Sequence, residues 1–578
     1  MRSIAMVVLA ALGVAAGCSF VTDFPDIDPL QGGGAAGGGA AGGGGGVAGG
    51  GGATGGGGGA EGGGAGECLE VACQNCIAGA ASCPNVSGAF VLQGEPSVPT
   101  PNADTRLYLT DGVAVGPNAA RFIGTFAGAT LESESGLLTA AGAPQSGFIV
   151  NQAGEALGGA SACLDGGTPS GGEVFFNGLT MTGSGERAIV GAYEGGRMVF
   201  FPTTLACGTT SNGFSDGPET SADSFTPFIV WLTARNDSVD GAYEPAAAGP
   251  ARGRDNGYLS DVTGVPAIDD TTIAAVGLAR ANPFTAMPTF HPEGNYYVIT
   301  SNNPGSGQVV TLPFRECSSD GFLEFQGLLS SIAFGDPDEV WVGGTGCGVT
   351  EGYTEQPRSF LTRFTVDGND DLVSPSTLEV GDDGNPMSIS DIAVGTFNLF
   401  AAGTYSGQPM ATLADGVTPV PTGFGGDGFV MSFARASFTN FANPVWFTQI
   451  VSESGPAAIE ALVHDNGRLF VTGSLPDVGG IGDAQVCFTS EALQGGRAFV
   501  AELDPATGGL VWLQMDGFQV PQQTLEPEVF ARGVAVVPQT GGLLAATRTH
   551  GQMLLGCDDD TTDDTNRTEV HVRWLDFP

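Results

Sequence analysis

The residues able to do chemistry are few and scattered. Four histidines, His291, His464, His550 and His571, serve a chain of 578 residues. No two of them share an element at metal-ligand spacing, so they read as strand or surface histidines. Gly213-Phe214-Ser215-Asp216-Gly217 matches the nucleophile-elbow pattern. That turn makes a nucleophile only between a strand and a helix of an α/β sheet, and among 96 glycines a chance match is expected. Asp367-Gly368-Asn369-Asp370-Asp371 spaces its oxygen side chains as calcium loops do, which makes Asp367, Asn369 and Asp371 a candidate calcium site. The stretch lacks the glycine and distal glutamate of an EF-hand at the required places, and it also suits a plain hairpin turn. Asp558-Asp559-Asp560 with Asp563 and Asp564 is denser and reads as a solvated loop. No catalytic set emerges and no cofactor beyond calcium is expected, so the chain reads as a non-enzyme.

Charge removes further chemistry. The 62 acidic residues face 19 basic ones, all of them arginine, for a net charge of -43. Such a surface repels phosphate backbones, which excludes nucleic acid as a partner, and it does not dock on anionic lipid by a basic patch. With no lysine in the chain there is no P-loop lysine, no kinase strand lysine and no Schiff base.

Of 11 cysteines, Cys18 stands apart near the start. Cys68, Cys73, Cys76 and Cys83 cluster, and Cys163, Cys207, Cys317, Cys347, Cys487 and Cys557 follow singly. The cluster could hold zinc, but outside the cytoplasm disulfides are the expectation, and without Cys18 the count is even. Proximity along the chain suggests Cys163 with Cys207, Cys317 with Cys347 and Cys487 with Cys557. Sequence alone leaves the connectivity open.

The first 31 residues explain the odd cysteine. Arg2 precedes an apolar run from Ile4 to Ala16, too short to span a bilayer and right for a secretory signal. Ala15, Ala16, Gly17 and Cys18 then resemble the lipobox of bacterial lipoproteins, with Ala15 where that pattern prefers leucine. The resemblance implies cleavage after residue 17 and lipid on Cys18. Ser19 in the next place implies sorting to the outer membrane. An ordinary signal peptide with a free Cys18 is the rival.

The elements around these residues divide the chain into a signal (1–17), a lipidated N-terminus (18–31), a linker (32–66), a Cys-rich segment (67–86) and a folded body (87–578). The linker is almost all Gly and Ala. It has nothing to bury and is expected to be a disordered tether, spanning roughly 30–35 Å root-mean-square. Collagen is excluded by the missing Gly-X-Y period.

The body repeats roughly every seventy residues. A short apolar strand carrying a glycine recurs as Phe122-Ile123-Gly124-Thr125, Ile189-Val190-Gly191-Ala192, Ala275-Val276-Gly277-Leu278, Trp341-Val342-Gly343-Gly344, Ala401-Ala402-Gly403-Thr404 and Val471-Thr472-Gly473-Ser474. Leu544-Ala545-Ala546-Thr547 is a degenerate seventh copy. A second strand opens with Phe or Val at Phe148, Phe228, Val309, Phe360, Phe429 and Phe499. Ala498–Leu503, Leu510–Met515, Ala531–Val537 and Leu543–Thr547 read as one set of four strands. The chain end, Glu569 to Asp576, alternates like a strand and is expected to complete the first blade. The pattern predicts an all-β single β-propeller of seven four-stranded blades closed by the C-terminal strand. An array of β-sandwich modules is the rival.

Ala498-Phe499-Val500-Ala501-Glu502-Leu503-Asp504, Gly509-Leu510-Val511-Trp512 and Leu469-Phe470-Val471-Thr472-Gly473 resemble the bacterial SBBP-type propeller repeat found in surface lipoproteins of myxobacteria and their relatives. The likeness covers residues 359 to 578 and fades toward the N-terminus. It implies an extracytoplasmic propeller and transfers no catalytic residue. The expectation is therefore a monomer, anchored by lipid, that presents a binding surface to a protein or glycan. A carboxylate-dependent hydrolase or lyase at the propeller axis is the alternative.

Overall fold

In the computed structural model the described residues lie between Leu69 and Phe577. The longest stretches outside them are 1–68, 95–106, 202–224, 244–256, 280–294, 316–329, 520–529 and 555–567. Among the described residues the fold is antiparallel strands arranged as a seven-bladed β-propeller. Strands a to d run from the axis outward in each blade. Blade 1 is Leu107–Gly116, Ala119–Ala127, Gln145–Asn151 and Ala156–Cys163; blade 2 is Val174–Met181, Arg187–Tyr193, Thr226–Leu232 and Val239–Tyr243. Blade 3 is Gly257–Gly264, Ile273–Ala279, Asn295–Ser301 and Val309–Thr311; blade 4 is Ser330–Gly335, Glu339–Gly348, Arg358–Val366 and Leu372–Val380. Blade 5 is Met387–Val394, Asn398–Gly407, Gly423–Ala434 and Trp446–Ser452; blade 6 is Ala458–Asp465, Arg468–Leu475, Arg497–Leu503 and Leu510–Met515. Blade 7 is Phe530–Gln539, Gly542–His550, Thr568–Asp576 and, from the other end of the chain, Asn85–Gly94.

Strands b and c are apolar on both faces because each blade is sandwiched between two others. Arg187–Tyr193 and Thr226–Leu232 are buried throughout. Apolar clusters fill the blade junctions, as where Phe400, Val430 and Trp446 of blade 5 meet Leu462, Val471 and Phe499 of blade 6. Phe90, Val570 and Val572 of blade 7 pack with Leu107, Phe122 and Phe148 of blade 1, which closes the ring.

Three sequence expectations shift. The C-terminal strand does close the ring, but as strand c of the last blade, paired on one side with Gly542–His550 and on the other with Asn85–Gly94. It does not complete the first blade, which has four strands of its own. The set of four read from Ala498 to Thr547 straddles two blades: its first pair is c and d of blade 6, its second a and b of blade 7. In blade 3 the third strand is Asn295–Ser301, and the segment containing Val309 is the outermost.

Several outer edges are covered. The b-to-c connection of blade 2 lays Arg197–Phe201 on the edge of blade 1, and that of blade 6 lays Gly479–Ile481 on the edge of blade 5. The corresponding connection of blade 1 lays Thr130–Ser133 on blade 7. Each covers the preceding blade. Leu69–Val71 and Ile77–Ala78, from the Cys-rich segment, pair with Ala484–Phe488 beside blade 5 and with strand d of blade 6. The outer strand of blade 4 instead carries Pro375 where its register shifts, which blocks further pairing.

Blades 4 and 5 are also joined by charge. Glu339 Oε2 accepts from Arg435 Nε at 2.9 Å and from Trp341 Nε1 at 3.0 Å, while its Oε1 pairs with Arg363 at 2.6 Å. Arg435 further donates to the Gly395 carbonyl. Glu339→Gln removes the charge these buried groups are arranged around. It is expected to cost about 2–3 kcal/mol, read as a lowered urea midpoint at unchanged slope.

Candidate functional site at the propeller axis

The a strands meet around the axis, and six of the seven carry a β-bulge at the same place. The extra residue is Thr110, Asn177, Ser260, Ser390, Glu460 or Val534 in blades 1, 2, 3, 5, 6 and 7. Blade 4 pairs without interruption through Ser330 and Ser331. A bulge leaves one residue out of the ladder and re-aims its neighbour. In blades 1, 3 and 5 that neighbour is an aspartate: Asp111, Asp261 and Asp391.

The three aspartates do the same job. One oxygen of each accepts from the following N–H of its own strand, Gly112 at 2.6 Å, Val262 at 2.7 Å and Ile392 at 2.7 Å. The other reaches the a strand of the next blade, accepting from the N–H of Leu179 at 2.7 Å, Ile332 at 2.8 Å and Leu462 at 2.6 Å. The even blades carry small residues under the incoming carboxylates, Gly178, Ser331 and Ala461. Acidic and small positions thus alternate round the axis until blade 7, where Ala535 takes the place. Bulge side chains add to the fastening: Thr110 Oγ1 donates to the Phe176 carbonyl at 2.6 Å and Asn177 Nδ2 to that of Leu259 at 2.7 Å.

These carboxyls touch solvent along the axis yet have protein on every side. Burial pushes Asp111 well above the usual carboxylate range, helped by the charge of Asp261. Burial raises Asp261 to about 6. It raises Asp391 to about 7, with a further push from Asp261. A protonated carboxyl beside an ionised one is what acid–base hydrolysis uses. Here every Asp oxygen just named already accepts a backbone N–H, so the trio fastens blades together.

The glycines of the repeat belong to the same device. Gly124, Gly191, Gly277, Gly403 and Gly473 stand opposite the bulges, paired with Leu109, Phe176, Leu259, Ile389 and Ile459. The bulge drives a strand-a carbonyl into the space a Cβ would need. In blade 7 the residue at this place is Thr547, opposite Gly533, so the degenerate copy is shifted by one from Ala546.

The sequence-predicted sites fall elsewhere. Asp367 Oδ1 accepts from the N–H of Asn369 at 2.8 Å and of Asp371 at 3.1 Å, closing the turn between strands c and d of blade 4. Those hydrogen bonds hold the Asp367 carboxyl below the usual range. Asp415 and Asp504 close turns in the same way. Among the described residues no three His, Cys, Asp or Glu side chains are grouped to hold a metal. Cys163 and Cys347 are buried and disulfide-bonded. Cys487 lies on Ala484–Phe488. Cys18, Cys68, Cys73, Cys76, Cys83, Cys207, Cys317, Cys557, Ser215, His291 and the acidic run 558–564 lie outside the described residues. His571 meets Glu569 at 2.9 Å inside blade 7, and burial lowers the pKa of His464, whose ring stacks on Phe400. Sequence reasoning missed the axial trio, whose local signal, in three of the seven copies, is an apolar residue, Ser or Thr, then Asp, ahead of a repeat glycine.

No family model matches the chain, and no curated protein matches it in sequence. Among solved structures it is similar to the Dos1 propeller, at 6% identity and a TM-score of 0.36, covering 84% of this chain and 95% of that one. It is similar to the β-propeller domain of the Trilobed protease from Pyrococcus furiosus, at 7% identity and a TM-score of 0.33, covering 80% and 96%. A third likeness is to Pyrococcus horikoshii acylaminoacyl peptidase, at 8% identity and a TM-score of 0.34, covering 79% of this chain. The chain spans about half the length of that peptidase, 53%. The peptidase and protease names describe those proteins, and the propeller assignment rests on the strand pairing above.

Proposed function

We propose that this chain is a lipid-tethered extracytoplasmic propeller that presents a binding surface to a protein or glycan and carries out no reaction on it. One observation carries the non-catalytic part. The carboxylates gathered at the axis, where a propeller enzyme would work, spend their oxygens on backbone N–H groups of two blades. The surface left for recognition is the face holding the b-to-c connections. The longest joins Tyr193 to Thr226, whereas the a-to-b turns opposite are short, as at Asn466-Gly467. The tether reading is supported by Ala15-Ala16-Gly17-Cys18 and the Gly-rich linker.

Purified residues 68–578 test this on a glycan array and against proteins of the native cell surface. Saturable binding is expected, lost when residues 202–224 are replaced by a short Gly-Ser loop and kept in Asp261→Asn. Turnover of a glycan or peptide, abolished by Asp261→Asn, would replace this reading with the axial hydrolase or lyase. Mass spectrometry of the mature N-terminus checks the anchor: a diacylated or triacylated Cys18 is expected, and an unmodified one refutes it.

A further inference from the structure

The bridge between the carboxyls of blades 3 and 5 has two short contacts and one hydroxyl hydrogen to fill them. Ser331 Oγ, on blade 4, lies 2.9 Å from Asp261 Oδ2 and 2.7 Å from Asp391 Oδ1. A hydroxyl has one hydrogen to give, and an ionised carboxylate can only accept. With both aspartates ionised, that hydrogen serves one contact fully or both weakly as a three-centre bond; a proton on either carboxyl gives each contact a hydrogen of its own. Ser331 is 6% exposed, which leaves little room for water to supply the second hydrogen instead. We infer that Asp261, Ser331 and Asp391 hold one proton in common near neutral pH, making the axial junction of blades 3, 4 and 5 a pH-responsive fastener. One carboxyl donates to Ser331 Oγ, and Ser331 donates to the other.

Among the described residues no cation is ion-paired with Asp261 or Asp391 or lowers their titration. Asp111 of blade 1 feels the charge of both aspartates, and strand a of blade 6 carries the acidic Glu460. Of the strands packed on Asp391, strand b of blade 5 brings Tyr405 and strand a of blade 6 brings His464 and Asp465 besides Glu460. Strands b and c of blade 4 bring Glu339, Arg358 and Arg363, whose ion pairs are Glu339 with Arg363 and Arg435, and Arg358 with Glu379. Of those packed on Asp261, strand b of blade 2 brings Arg187 and Tyr193, and Arg187 donates to the Thr233 carbonyl. Strand a of blade 2, strand b of blade 3 and strand a of blade 4 bring no titratable group. Strand a of blade 7 carries Arg532.

The linkage has a definite sign. Asp261 and Asp391 are raised to about 6 and about 7, against an ordinary value of 3.8. The folded chain therefore binds more protons than the unfolded one between those values. Stability from this bridge is fully present below the ordinary value and is lost as pH rises through about 7.

Infrared spectroscopy of the folded chain at about pH 6.5, inside that window, reads the proton directly. The raised carboxyl of Asp111 absorbs in the same region when protonated, so the comparison is among variants. An asparagine on either side can donate to Ser331, which removes the need for the proton. Asp261→Asn and Asp391→Asn are each expected to remove the same band, and the double variant no more than either. Thermal melts check the consequence: the gain in Tm on moving from about pH 8 to about pH 5 should be about 3–5 °C smaller in either variant than in the wild type. Because the whole acidic surface also favours lower pH, only that difference counts. Two independent band losses, no loss in either variant, or equal Tm gains in all chains would each overturn the shared proton.

Discussion

Removing residues 568–578 is expected to leave a chain that does not fold. The deletion takes the interior strand of blade 7, hydrogen-bonded along Gly542–His550 on one side and Asn85–Gly94 on the other. Val570, Val572 and Leu575 are at most 1% exposed. Burying each stabilises by about 1.5–3 kcal/mol, so together they approach the whole stability of an ordinary domain, about 5–15 kcal/mol. Arg573 leaves with them. It pairs with Asp516 at the end of strand d of blade 6, both nearly buried, and its loss strands a carboxylate in the interior. Among the described residues no other strand of blade 7 pairs with Asn85–Gly94, so the ring opens where its two ends meet. Deleting residues 1–84 should act very differently. Leu69–Val71 and Ile77–Ala78 cover the edges of blades already complete, and that chain is expected to melt cooperatively. Circular dichroism with thermal melts checks both. A cooperative transition in the C-terminal deletion near the wild-type Tm would mean that the ring does not depend on its closing strand.

The contrast shows which parts of the architecture sequence could carry. Strand c reads clearly because Phe148, Phe228, Phe360, Phe429 and Phe499 sit between blades and are fully buried. The closing strand reads as a strand because Glu569 to Asp576 alternates, although the blade it joins could not be read. Where one blade stops and the next begins did not read. Successive strands are antiparallel within a blade and look alike across its boundary, so the order is cyclic and any cut gives a set of four. In blade 3, Tyr296 to Ile299 and Val309 to Thr311 are both short apolar runs, and only pairing tells the inner from the outer. The axial aspartates were hidden for another reason. The fastening needs them on alternate blades, so three of seven a strands carry one, and three acids among 62 make no visible period. At Asp367 sequence could not separate a side chain that serves its own turn from one that binds calcium, because the residue types are the same.

Gly403→Ala is expected to cost about 4 kcal/mol or more, a size reserved for defects the core cannot absorb. The chain holds 96 glycines, and most would tolerate alanine if they were only turn or linker material. Gly403 is different. It lies opposite the bulge at Ser390, and an added Cβ would fall on the carbonyl oxygen of Ser388, far inside van der Waals contact. The obstacle is backbone, so no rotamer change relieves it. To admit the methyl, strand a of blade 5 must move away where it bulges, and with it the placement of Asp391 that fastens blade 5 to blade 6 through Leu462. Gly473→Ala meets the Ala458 carbonyl in blade 6 and should behave alike. Blade 7 supplies the internal control. There Gly533 meets Thr472 of blade 6, so Gly533→Ala should be as damaging, while Ala546→Gly should cost only about 0.5–1 kcal/mol. Gly416→Ala, at a turn with open space around it and φ of 71°, should cost about 1 kcal/mol. Urea melts of the five variants give the ranking. If Gly403→Ala proved no worse than Gly416→Ala, the repeated glycine would be a feature of composition, and the bulge would have some other cause than the space it needs.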